Sequence, residues 1–192
     1  MKLFFLGLIS LSLLGACISI DHSISTTHEL KNSEYLIVGS VILEPPLAKD
    51  EQSLYSTFVP FAKNYIFLIT KQAAALSHPK AGRTDLSDSI KVKLGNVFLI
   101  REYREVLTLY GGLILMNARA AGGPEYARLK FDLKIKHPTG AHAIYIGRII
   151  NHRDDFMQTK SIDIENDFTT AQKEYRAVAG ADSDLQVSLA LK

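Results

Sequence analysis

Across residues 127–136 the chain alternates without a break. Ala127, Leu129, Phe131, Leu133 and Ile135 are apolar, whereas Arg128, Lys130, Asp132, Lys134 and Lys136 are charged. Side chains of a strand point alternately to its two faces, so a run of period two is a strand with one dry and one wet face. A dry sheet face must be covered by a second layer, which restricts such a chain to layered β architectures. The charged face makes a basic stripe of Arg128, Lys130, Lys134 and Lys136 around Asp132, either a soluble surface that also keeps an edge from pairing with a neighbour or a face for anionic head groups, acidic glycan or a protein partner.

Other segments read in the same way. Residues 35–44 are rich in Val and Ile and stop at Pro45-Pro46, which cannot donate to a ladder. Residues 64–72 are apolar on both faces for five positions, as a central strand is, and residues 73–89 read as a long loop. Short strands at 90–94 and 96–101 flank Gly95, and residues 105–116 predict strands meeting at a bend at Gly111-Gly112. After the turn His137-Pro138-Thr139-Gly140, residues 141–153 form a strand apolar on both faces, expected to make a hairpin with 127–136. An even loop would place Ile144, Ile146 and Ile150 with Phe131, and an odd one would substitute Tyr145 and Ile149.

Residues 161–166 alternate again, with Ile162 and Ile164 inward. One helix follows, at about 168–179, with Asn166 or Asp167 as N-cap, Phe168, Ala171, Tyr175 and Val178 at helical spacing, and Gly180 as C-cap. A last strand at 185–191 closes the sheet. The fold class is mainly β, an antiparallel β-sandwich with one short C-terminal helix. This order, with the Tyr145-Ile146-Gly147 strand and a short capped helix after it, resembles the prealbumin-like β-sandwich domains of envelope lipoproteins. Fold likeness implies no activity.

The first residues are of another kind. Met1-Lys2 is a short basic head, residues 3–14 are mainly apolar, and Leu14-Gly15-Ala16-Cys17 contains the single cysteine of the chain. An apolar run that short is an export signal and not a spanning helix. Leu14-Gly15-Ala16-Cys17 resembles the lipobox of bacterial lipoproteins. The resemblance implies cleavage before Cys17, a diacylglyceryl group on its sulfur, and a mature protein held at the membrane through that lipid anchor. Two or three acyl chains, at about 0.8 kcal/mol per buried methylene, make anchoring durable. Ile18 is not the Asp that resembles an inner-membrane retention signal, so the periplasmic face of the outer membrane is the expected location. Residues 1–16 are then signal peptide, 17–33 the lipidated cysteine and a polar tether, and 34–192 a single β-rich domain.

Charge and cysteine usage exclude several classes. Of 22 Lys and Arg only Lys2 lies in residues 1–16, so the remainder nearly balance 20 Asp and Glu. That balance makes no electrostatic case for nucleic acid. With Cys17 acylated no thiol remains for a disulfide, a thiolate metal site or cysteine catalysis. No Gly-x-Ser-x-Gly elbow, His-Glu-x-x-His, phosphate-cradling glycine loop or dinucleotide fingerprint occurs.

The residues with ligand chemistry are His142, His152, Asp154 and Asp155, together with the alternating Asp163-Glu165-Asp167 row. His142 and His152 share strand parity but lie about 33 Å apart along a straight strand, too far to share an ion, and the acidic row lacks the glycine and terminal Glu of a calcium loop. A solvated strand face accounts for these residues, and no cofactor is expected. Arg148 inside an apolar run is either a snorkelling arginine paired with a carboxylate such as Asp132, or a guanidinium offered to a carboxylate or phosphate ligand. Tyr145 is a core or interface aromatic, or else a ligand platform. The expected function is a non-enzymatic, membrane-anchored envelope lipoprotein with an accessory, structural or protein-interaction role. The alternatives are a small-ligand or metal-binding periplasmic module and a hydrolase of unrecognised type.

Overall fold

In a computed structural model, the described residues are 30, 33–48, 51, 64–70, 89–117 and 124–192. The signal peptide, Cys17 and the loop expected at 73–89, apart from Ser89, lie outside them. The strands are β1 (Tyr35–Glu44), β2 (Tyr65–Ile69), β3 (Ser89–Lys93), β4 (Val97–Glu102), β5 (Val106–Asn117), β6 (Pro124–Lys136), β7 (Ala143–Arg153), β8 (Thr159–Glu165) and β9 (Gln186–Val187), with one helix, α1 (Phe168–Ala179), before β9. One sheet has the order β4-β1-β7-β8, with β9 also beside β7, and the other β3-β2-β5-β6. Their facing sides share a core that includes Ile37, Val41, Ile66, Leu68, Leu107, Leu129, Phe131, Leu133, Ile135 and Ile144. The architecture is the β-sandwich with one late helix that the alternation calls for.

Most pairings are antiparallel, but β1–β7 and β7–β9 are parallel. The short strands around Gly95 belong to different sheets: β3 pairs with β2 and β4 with β1. Gly95 turns this corner at φ 79°, where a Cβ would be strained, and its N–H donates to the Val41 carbonyl at 2.8 Å.

The hairpin expected between residues 127–136 and 141–153 does not form. β6 pairs with β5, while β7 lies between β1 and β8, so the turn at 137–142 carries the chain from one sheet to the other. The cause is in β7 itself. Apolar on both faces, it is covered on one by the core and on the other by α1, and a strand so enclosed takes a central place with partners on both edges. Ile144 and Ile146 join Phe131 in the core, as an even loop requires. At Gly147, with φ 100°, one extra residue shifts the register between Val38 and Ser40, so Ile149 is buried beyond it and Ile150 is not. Each alternative parity holds on one side of the bulge.

The expected bend at Gly111-Gly112 is absent too, because β5 is one strand of twelve residues. These glycines serve close packing. A Cβ on Gly111 would lie 2.2 Å from the Leu129 carbonyl oxygen, and one on Gly112 2.3 Å from Ile66 Cδ1.

α1 lies over the outer face of the first sheet. Ala171 and Tyr175, one turn apart, pack with Leu36, Val38, Ala143, Tyr145 and Leu185. The N–H of Gly180, at φ 107°, donates to the Arg176 carbonyl and ends the helix. Beyond it, the strand expected at 185–191 reduces to β9 and a bridge. Ser188 and Ala190 donate N–H bonds of 2.9 and 3.0 Å to the carbonyls of Tyr145 and Ile146, and Leu191 exchanges two bonds of 2.8 Å with Lys134 of β6. This terminal segment joins one sheet to the other.

Candidate functional site

Of the histidines and aspartates singled out in the sequence, the structure brings His152 and Asp163 together, without His142, Asp154 or Asp155. His142 is exposed at the start of β7, whereas His152 sits at its far end. His152 faces Glu44 through Nδ1 at 3.1 Å and Asp163 through Nε2 at 2.9 Å, because β1 and β8 flank β7 in that register. Asp163 is shared with the Lys192 ammonium at 3.3 Å. With carboxylates on both sides, the imidazole offers no free nitrogen to an ion. Asp154 accepts the N–H groups of Phe156 and Gln158, each at 2.9 Å, and pairs with Lys160 at 2.7 Å. Its carboxyl is held below the usual range, first by the Lys160 bond and then by the Gln158 N–H. Asp154 thus shapes the β7–β8 turn, and Asp155 is exposed beside it. Among the described residues, no three His, Cys, Asp or Glu side chains converge as metal ligands.

Arg148 follows the Gly147 bulge and pairs with Glu165, at 3.2 Å, and with Asp167. Asp132, proposed for it in the sequence, lies on β6 in the other sheet. The register decides the partner: β8 places Glu165 directly opposite Arg148, and the chain then turns into α1 at Asp167. Tyr145 is buried under α1. Its hydroxyl accepts the Asp167 N–H at 3.0 Å, its ring meets Phe168 at 5.9 Å, and burial pushes its phenol pKa up. Arg148 and Tyr145 together dock the start of the helix.

The most enclosed ionic group is one that sequence reading missed. Arg153, only 3% exposed, forms a two-pronged pair with Glu51, 6% exposed, at 2.8 and 2.6 Å. It also donates to the carbonyls of Pro45 and Pro46, at 2.9 and 2.8 Å, and of Asp154, at 3.3 Å. Glu51 in turn accepts the Ala48 N–H at 2.8 Å. Arg153 thereby ties the segment after β1 to the end of β7. No local pattern announces this pair, because its members stand 102 residues apart.

A second cluster occupies the opposite end of the sandwich. The buried Glu102 takes two bonds from the Arg104 guanidinium, at 3.0 and 2.6 Å, and two from the N–H groups of Tyr103 and Arg104. Burial pushes the Glu102 carboxyl up, but these bonds and the Arg104 charge outweigh it and hold the group below its ordinary range. Tyr35 donates to the Arg104 carbonyl at 2.7 Å, and its ring stacks on His137 at 3.8 Å. Burial, then the Glu102 charge, push its phenol up to about 12. His137 Nε2 donates to the Ala141 carbonyl at 2.7 Å and so fixes the turn between the sheets.

The chemistry of these clusters is mutual neutralisation. Each of these guanidinium groups is held by a carboxylate. An open groove of about 340 Å³ lies among Ile42, Leu43, Pro46, Leu47, Asn64, Leu94 and Gly95. Among the described residues, no helix is long and apolar enough to cross a membrane. No protein-family model, no curated protein and no solved structure matches the chain.

Proposed function

We propose that the protein is a bacterial envelope lipoprotein, held by acyl chains on Cys17 at the periplasmic face of the outer membrane. Its β-sandwich acts without catalysis, as an accessory or structural component that contacts an envelope protein. The observation that carries this reading is Leu14-Gly15-Ala16-Cys17 at the close of a short apolar run, with no other cysteine in the chain. Support for a non-catalytic role comes from the ionic side chains, which are spent on one another in holding turns and the helix start.

The test is metabolic labelling with a fatty-acid analogue in Cys17→Ser and wild-type cells. The wild type incorporates label and stays with the membrane fraction, and the mutant loses both. Label that persists in Cys17→Ser would refute the reading.

A second reading, a module for a small apolar ligand, is favoured by the groove between Ile42 and Leu94. A rise in melting temperature with an apolar probe, cancelled by Leu47→Asp, would place it first.

A further inference from the structure

Six large apolar residues are exposed among those described, and three of them gather at one end of the sandwich. Tyr103 is 72% exposed and Val106 53%, both at the β4–β5 turn, and Val187 of β9 is 43% exposed. Val106 stands opposite Lys136 at the end of β6. The Ser188 hydroxyl donates to the Lys136 carbonyl at 2.8 Å, which brings β9 to the same place. The turn at 137–142 closes the group, since the His137 N–H donates to the Glu105 carbonyl at 2.9 Å.

The chain enters the domain at this end too. Tyr35 opens β1 with its ring on His137, and Leu30 packs against the cluster under α1. Residues 17–29 are thirteen in number, and a random coil of that many residues averages about 20 Å from end to end. β7, with eleven residues, runs about 36 Å from this end to the other. A lipid on Cys17 therefore keeps the entry end close to the bilayer and the far end away from it.

We infer that the entry end rests on the phospholipid interface, with Tyr103, Val106 and Val187 as its contacts; this deepens the lipoprotein reading and rests on it. The side chains suit that solvent. Tyrosine has an apolar body and a polar tip, and Lys136 beside Val106 can lay its stem along the apolar surface while its ammonium reaches a phosphate. Two carboxylates here have cationic neighbours: Glu102 is held by Arg104, and Glu34 by Arg101 at 3.4 Å. Phe156, 78% exposed, marks the contrast, because it lies at the far end, directly after Asp154 and Asp155.

The chain contains no tryptophan, so Tyr103→Trp and Phe156→Trp each create a single reporter. The acylated full chain is placed in vesicles of phosphatidylethanolamine with a minority of phosphatidylglycerol, with bromine on the acyl chains as quencher. The expected result is a blue shift and loss of most emission for Tyr103→Trp, unchanged emission for Phe156→Trp, and recovered emission when Val106→Asp is added to Tyr103→Trp. Fatty-acid label in the protein with no quenching at Tyr103→Trp overturns this inference alone, as does equal quenching at both ends. A blue shift of Tyr103→Trp that grows with protein concentration in the absence of vesicles assigns the patch to a second copy of the chain and also overturns it. Absence of label overturns the lipoprotein reading itself.

Discussion

Replacing Arg153 by Met probes the most enclosed interaction of the fold. The substitution keeps an apolar stem of similar length but takes the guanidinium from the Glu51 carboxylate, 6% exposed, and the donors from the Pro45 and Pro46 carbonyls. Removing one partner of a buried pair costs about 3–5 kcal/mol, because the other charge stays desolvated. In urea, with an m-value of about 2 kcal/mol/M, the midpoint should fall by roughly 1.5–2.5 M. The double variant Arg153→Met/Glu51→Leu removes both charges and should lose less than the single one, since a packed apolar pair often replaces a buried ion pair at little cost. Salt should leave the wild-type midpoint nearly unchanged in this respect, because buried pairs are weakly screened. Equilibrium urea melts of the wild type and the three variants, both singles included, supply the cycle. A loss under about 1 kcal/mol for Arg153→Met, or a double variant weaker than the two single losses added together, would refute the reasoning.

Phe131→Asp puts a carboxylate into the shared core and should cost at least the 3–5 kcal/mol typical of emptying such a site, whereas Lys134→Asp on the wet face should stay within about 0.5 kcal/mol; urea midpoints of the two variants check this. Gly111→Ala brings a methyl against the Leu129 carbonyl and should lose about 1–3 kcal/mol or more by overpacking. Gly95→Ala meets nothing and should lose only the roughly 1–2 kcal/mol of a positive φ, which thermal melts can separate. Tyr35 holds its proton more tightly when folded, so its contribution is whole below the ordinary tyrosine range and is lost as pH rises toward about 12; Tyr35→Phe should flatten that alkaline fall. Glu102 has the opposite sign, with stability present above its ordinary value and lost as pH drops through its lowered folded one, so Glu102→Gln should flatten acid unfolding.

Legibility in the sequence followed the range of the signal. β6 was readable because period two is written into ten adjacent residues, and α1 because Phe168, Ala171 and Tyr175 repeat at helical spacing before Gly180. The end of β1 was readable from Pro45 alone. What a strand pairs with is another matter. β7 declares itself central by being apolar on both faces, yet nothing in residues 143–153 names β1 and β8 as its neighbours, and the adjacent β6 was the natural but mistaken choice. The parity of β7 was undecidable from an alternation count, because Gly147 inserts a residue half-way along. Of the candidate residues, Arg148 found carboxylates only after β8 and α1 had set its surroundings, and His152 found Glu44 through a pairing across more than a hundred residues. The Arg153–Glu51 clamp had no sequence signal, since each member alone looks like an ordinary surface charge.

The pairing of β1 with β7 also sets the order in which the molecule can be made. Leu36 bonds beside Ala143 and Glu44 beside His152, and the seam between the sheets is closed by Leu191, one residue from the end. Contacts so distant along the chain make for slow folding, because loop entropy is lost before any of them rewards it. β1 must wait, with one edge bare, until its parallel neighbour exists. Closure of this sheet therefore waits for residues more than a hundred positions along the chain from β1.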